Sequence, residues 1–257
     1  MKGYFNYKGG KIYFEIIGKG QPITFIHGFS LDQRVWKQQV DFFKKRFRVI
    51  TYDMRGYGKS SIPKQKHSHH DDLRALLNYL DIPKTHLVGL SLGGEIAADF
   101  AVTHPNKLIS LSLVDSSLGG YPSTVDWDVK AKEQGIKQAK INWLNHPVFK
   151  TTRTNKKVVI ELKKMMADYS GWQWLNPMFR NKVSPKPINR LDRIICPTLI
   201  IVGEKDLTYY HSIANVLKKG IKNSRKKIIK GAGHMVNMER TQEFNHELFE
   251  FLNSVSN

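Results

Sequence analysis

The sequence predicts an α/β protein: a mostly parallel eight-stranded sheet with helices on both faces and an inserted helical segment late in the chain. Three observations lead there. Short β-branched and aromatic runs alternate with amphipathic helical patterns along most of the chain. Several of those runs are continuously apolar, as strands covered on both faces must be. The alternation stops near residue 118 and resumes near residue 198. At 257 residues, 40% hydrophobic and 25% charged, the chain can bury one large core and has no disordered or low-complexity bias.

The elements follow in order. Tyr4 to Tyr7 and Lys11 to Ile17 form a hairpin-like pair, and Ile23-Thr24-Phe25-Ile26 is a buried strand ending at His27-Gly28-Phe29. Asp32 fits a helix N-cap, with Val35, Trp36, Val40 and Phe43 as the apolar face behind it. Val49 to Tyr52 is the next strand, followed by a helix over about 71–80 whose leucines at 73, 76, 77 and 80 share one side. His86 to Leu90 is a strand that turns at Ser91 into a helix over about 93–104, which Pro105 ends. Leu108 to Val114 is a strand closing at Asp115. Thr198 to Val202 leads to Asp206, a helix near 211–219 follows, and Lys227 to Ile229 is the last strand. The loop Gly231-Ala232-Gly233-His234 then opens into a final helix near 240–252. Residues 1–117 and 190–257 therefore read as one core. Residues 118–189, too long for a loop, read as a helical lid.

The chemistry sits at strand ends. Gly89-Leu90-Ser91-Leu92-Gly93 fits G-x-S-x-G between a buried strand and a helix, where a sharp turn holds the serine strained and demands small neighbours two residues either side. A hydroxyl is a weak nucleophile and needs a base within hydrogen-bond reach. His234 supplies it from a glycine-rich loop, and Asp206 ends the preceding strand, giving the chain order Ser, Asp, His. Asp115 and Glu204 stand as rival acids. The backbone N–H groups of Leu92 and Phe29 are the expected oxyanion donors. His27 reads as an internal hydrogen-bonding group.

Together these positions resemble the α/β-hydrolase superfamily. His27-Gly28-Phe29 resembles its oxyanion motif, Asp53-Met54-Arg55-Gly56-Tyr57-Gly58-Lys59-Ser60 its D-x-R-G-x-G-x-S loop, and Gly89 to Gly94 its nucleophile elbow. Gly203 to Asp206 and Gly231 to His234 resemble the acid turn and the histidine loop. Gly-Leu-Ser-Leu-Gly-Gly and Gly-Ala-Gly-His-Met are similar to 3-oxoadipate enol-lactonases and small carboxylesterases. The resemblance implies the α/β-hydrolase fold and hydrolysis of a small, partly hydrophobic ester, lactone or thioester through an acyl-enzyme. It admits a lyase, a cofactor-free perhydrolase or a lid-gated ligand sensor on the same frame.

Trp127, Trp143 and Trp172 in the inserted segment, with Met235, are the expected apolar pocket around the substrate. The chemistry requires no metal or organic cofactor. His67-Ser68-His69-His70 lacks a cysteine or carboxylate pair and reads as a solvated connector rather than a metal site. Net charge is +19, from 41 Lys and Arg against 22 Asp and Glu, but the basic runs are short and dispersed. They read as a solvated surface, so a small-molecule substrate is expected and nucleic acid is not. No window is long and apolar enough for a membrane span, and no signal-type apolar run opens the chain. With Cys196 alone and unable to form an internal disulfide, a cytoplasmic location is expected. The oligomeric state, monomer or homodimer, is left open.

Overall fold

The computed structural model describes residues 1–122 and 127–255, except the side chains of Trp127, Asp128 and Lys130. Strands β1 (Lys2–Tyr7), β2 (Gly10–Ile17), β3 (Gln21–Ile26), β4 (Phe47–Tyr52), β5 (Thr85–Leu90), β6 (Leu108–Val114), β7 (Thr198–Gly203) and β8 (Ser224–Ile229) form one sheet. Their order is β1-β2-β4-β3-β5-β6-β7-β8. β1 and β2 run antiparallel to each other, β2 runs antiparallel to β4, and every other pairing is parallel. The sheet is therefore mostly parallel and eight-stranded, as the strand rhythm predicts.

The helices are α1 (Lys37–Phe43), α2 (His69–Tyr79), α3 (Leu92–Thr103), α4 (Trp127–Leu144), α5 (Lys150–Thr154), α6 (Lys156–Asp168), α7 (Trp172–Leu175), α8 (Thr208–Gly220), α9 (Val236–Glu239) and α10 (Thr241–Val255). The residues of β5 and β7 are buried throughout, which is why these strands are mostly apolar, with Thr85, His86 and Thr198 as their buried polar residues. Alternate strand residues feed two cores. Leu87, Leu111, Leu113 and Ile200 pack with α2, α3 and α8 on one face. Phe25, Val88, Leu90 and Ile201 pack with Trp36, Phe43 and α10 on the other. Each such fully buried Phe, Leu or Ile stabilises the fold by roughly 1.5–3 kcal/mol.

Helices α4 to α7 lie in sequence between β6 and β7. α4 is interrupted at Gly135, whose backbone (φ 77°, ψ 160°) is not helical. Asp32 caps a 3-10 turn, Gln33–Trp36, by accepting from the Arg34 N–H, and that turn delivers α1. At the sheet's edge β8 carries Arg225, Lys226 and Lys227 in succession, a composition that discourages pairing with a further strand. Among the described residues no helix is long and apolar enough to cross a membrane.

Candidate active site

β5 runs straight into α3, and the junction is Ser91, with φ 53° and ψ −113°. A non-glycine residue is strained there, so the surroundings must hold it. They do so through the backbone: Ser91 N–H donates to the Val114 carbonyl (2.9 Å), and the Ser91 carbonyl accepts from Gly94, Glu95 and Ser117. The glycines are sterically obligatory. A Cβ on Gly89 would strike the Gly93 carbonyl, and one on Gly93 would lie 2.6 Å from the His27 carbonyl oxygen. Leu92 is the first residue of α3, where N–H groups have no partner within the helix and the dipole favours negative charge.

The loop after β3 faces the elbow. His27 is fully buried, and its Nε2 accepts the Met54 N–H (3.0 Å), so Nδ1 carries the proton and donates to the Gly28 carbonyl (2.8 Å). Burial pushes this imidazole down to about 4, and it is neutral at pH 7. The Phe29 ring sits among Tyr57, Trp143, Tyr169 and Trp174, at centroid separations of 5.7 to 6.2 Å. Ser30 Oγ accepts from Trp143 Nε1 at 2.7 Å. These contacts tie the loop carrying the Phe29 N–H to the helices between β6 and β7.

His234 follows β8 and is 4% exposed. Its Nδ1–H donates to Asp206 Oδ2 at 2.8 Å, and Asp206 Oδ1 accepts the Leu207 N–H at 2.7 Å. The two loops can meet because residue 203 is glycine: a Cβ there would collide with the Gly233 carbonyl. Of the three acids weighed from sequence, Asp206 is the one hydrogen-bonded to His234. Glu204 instead accepts the Gly231 N–H (2.8 Å), and Asp115 accepts the Gly203 N–H (2.8 Å).

Ser91 and His234 line one cavity of about 550 Å³. Phe29, Leu92, Trp143 and Met235 lie on its wall. Trp172 does not. Its ring packs on Phe179 (5.2 Å), and the α7 side chain that reaches the cavity is Trp174, two residues on. The Trp127 side chain lies outside the described residues. Tyr209 and Tyr210 also line the cavity and were not anticipated. The Tyr210 ring lies against His234, tilted by 40° at a centroid separation of 4.1 Å, and its hydroxyl reaches Ser91. A tyrosine four residues after an acid carries no sequence signal by itself. Among the described residues, no Lys, Arg, Asp or Glu lines this cavity.

The His67–His70 stretch is not a solvated connector. His69 is buried, and His67 exchanges backbone hydrogen bonds with Phe179 and Asn181, so the stretch that follows α7 covers it. Ligand atoms of His67, His69 and Asp72 lie within 4.8 Å of one another. Both oxygens of Asp72, however, are taken by Arg55 (2.7 and 2.9 Å), in a pair only 4% exposed on each side. Arg55 and Arg180 also act on both imidazoles, which burial already holds below the usual histidine range. Two fixed cations make this a poor place for a metal ion. The Arg55–Asp72 pair and the Asp53 carboxylate, which accepts from Gln33 and Lys59, make the D-x-R-G-x-G-x-S loop a scaffold beneath the site.

Comparison with known proteins places the chain in a family. The alpha/beta hydrolase family matches residues 25–247. The chain belongs to that family. It is similar to a putative non-heme chloroperoxidase of Synechocystis sp., 32% identical over 94% of each chain. It is also similar to 3-oxoadipate enol-lactonase 2 of Acinetobacter baylyi, 27% identical over 87% of this chain and 85% of that one. A solved structure described as an N-acyl homoserine lactone degrading enzyme superposes with a TM-score of 0.83. It is 26% identical, covering 97% of this chain and all of that one. With this membership and these relatives, the chain is a hydrolase.

Proposed function

We propose that the protein hydrolyses a small, uncharged, partly hydrophobic carboxylic ester or lactone through an acyl-enzyme on Ser91. The observation that carries this is one cavity: Ser91 at a strained elbow and His234, held by Asp206, open into the same mostly apolar space, which no Lys, Arg, Asp or Glu lines among the described residues. In this reading His234 Nε2 takes the Ser91 proton as Oγ attacks the carbonyl carbon. The oxyanion that forms is held by the N–H groups of Phe29 and Leu92. His234 returns the proton to the leaving alkoxide oxygen, and the carbon–oxygen bond breaks. Water repeats the sequence on the acyl-serine, releasing the acid and restoring the hydroxyl. Asp206 fixes the His234 tautomer and offsets the imidazolium charge. The helices of 118–189 serve as a lid over the core formed by 1–117 and 190–257, with Trp143 and Trp174 as its apolar ceiling.

The substrate's charge follows from the lining. The +19 net charge attracts anions to the protein as a whole. A carboxylate entering this cavity would nevertheless lose its hydration with no Lys or Arg among the described lining residues to replace it, and that cost dominates. p-Nitrophenyl butyrate is therefore turned over with kcat/KM about tenfold or more above mono-p-nitrophenyl succinate. Preference for the succinate, or undiminished turnover in Ser91→Ala, would overturn the proposal.

A further inference from the structure

Behind His234 the fold buries a second carboxyl group that the reaction above does not use. Asp115 follows β6 with φ 42°, a left-handed conformation costly for a residue with a side chain. Its N–H donates to the Ile201 carbonyl (2.9 Å), and this turn sends the side chain across to the end of β7. There Oδ1 accepts the Gly203 N–H at 2.8 Å. Oδ2 is shielded from solvent and makes no well-formed hydrogen bond, with the Val236 N–H and the Asp206 carboxyl nearby. Carboxylate oxygens of Asp115 and Asp206 and a ring nitrogen of His234 all lie within 4.8 Å of one another.

Two ionised carboxylates facing each other in a buried space repel strongly, and a buried oxygen without a well-formed hydrogen bond adds a further cost. One proton between them removes both penalties. Asp206 already accepts from His234 and Leu207, so the group able to turn donor is Asp115. We propose that Asp115 is a positioning residue that keeps its proton, donates it to Asp206 and so holds Asp206 against His234 with a single negative charge shared by the pair. Burial, and then the Asp206 charge, push the Asp115 carboxyl well above the usual carboxylate range, against the smaller opposing pull of the Gly203 and Val236 N–H groups. The other titratable group near the pair is Tyr210, whose hydroxyl burial keeps protonated. The left-handed turn at Asp115 is thus held strained to place a proton behind the acid.

The inference rests on Ser91, Asp206 and His234 acting together, so its test has one arm that needs no turnover. Asp115→Asn replaces the carboxyl O–H with an amide N–H in the same place, whereas Asp115→Ala removes the donor. Asp115→Asn is expected to keep kcat within about threefold of the parent. Asp115→Ala is expected to lower kcat about tenfold or more at unchanged KM. In Asp115→Ala the full Asp206 charge then falls on His234, so the imidazole titration followed by NMR moves alkaline by about half a unit to one unit. The acid limb of kcat/KM moves with it. Infrared difference spectra of the parent against Asp115→Asn at neutral pH, which need only a folded Asn variant, are expected to show loss of a protonated-carboxyl band. Movement of the imidazole titration without turnover of any ester would uphold the carboxyl pair while rejecting the catalytic reading. An unmoved titration in Asp115→Ala, no carboxyl band, or Asp115→Asn as damaged as Asp115→Ala would overturn the proposal.

Discussion

Gly93→Ala puts the elbow's steric argument under direct strain. The added Cβ would lie 2.6 Å from the His27 carbonyl oxygen and closer still to that of Ile26, both on the segment that carries the oxyanion loop. Neither obstacle is a side chain that can rotate away. Ordinary contact begins near 3.4 Å, so α3 and the end of β3 must separate by about 1 Å, or the strain must stay. Overpacking of this kind costs about 1–3 kcal/mol, and a 1 Å shift between nucleophile and oxyanion donors lowers turnover about 100-fold. Urea unfolding gives the first quantity and hydrolysis of p-nitrophenyl butyrate the second. Gly3→Ala is the control, because its Cβ would meet the Phe14 ring at an ordinary 3.5 Å. A Gly93→Ala protein with parental midpoint and parental kcat would refute the reasoning.

Two further predictions concern the scaffold. Arg55→Leu leaves Asp72 buried and unpaired and is expected to cost about 3–5 kcal/mol in urea unfolding, with Arg55→Leu/Asp72→Leu recovering most of it; equal losses in both variants would contradict this. His86, held between Ser110 and Gln21, is buried, and burial lowers its imidazole to about 4. Its folded pKa is below its unfolded one, so the unfolded chain binds more protons between pH 6.5 and 4. The stability this confers is complete above about pH 6.5 and lost as pH falls through about 4. Between pH 7 and pH 5 the parent is therefore expected to lose about 2 kcal/mol more than His86→Gln, measured by urea unfolding at each pH.

The sheet and the glycine turns at its strand ends were legible in the sequence because each rests on a strong local constraint. β5 and β7 are buried on both faces and are mostly apolar. Gly89, Gly93 and Gly203 are forced by backbone approaches under van der Waals contact, and such glycines punctuate the sequence at strand ends. The helical segment between β6 and β7 was less legible. α7 is one turn long, and four residues have no periodicity from which to tell that Trp174 rather than Trp172 faces the cavity. Tyr210 lies in the first turn of an amphipathic helix whose buried side is set by Ile213, Ala214 and Leu217, so nothing local marks the turn that meets His234. His67 and His69 look like a polar connector because the Phe179–Asn181 strip that covers them is more than a hundred residues away. The choice among Asp206, Asp115 and Glu204 was equally non-local: all three end strands, and which one meets the imidazole depends on how two loops pack.

The central claim is that Ser91 is the nucleophile and His234 its base, and active-site phosphonylation tests it most directly. Incubation with a fluorophosphonate, followed by peptide mass spectrometry, is predicted to place a single adduct on Ser91. The adduct should be absent in Ser91→Ala and form far more slowly in His234→Ala. Stoichiometric labelling of another residue, or labelling that persists in Ser91→Ala, would contradict the account.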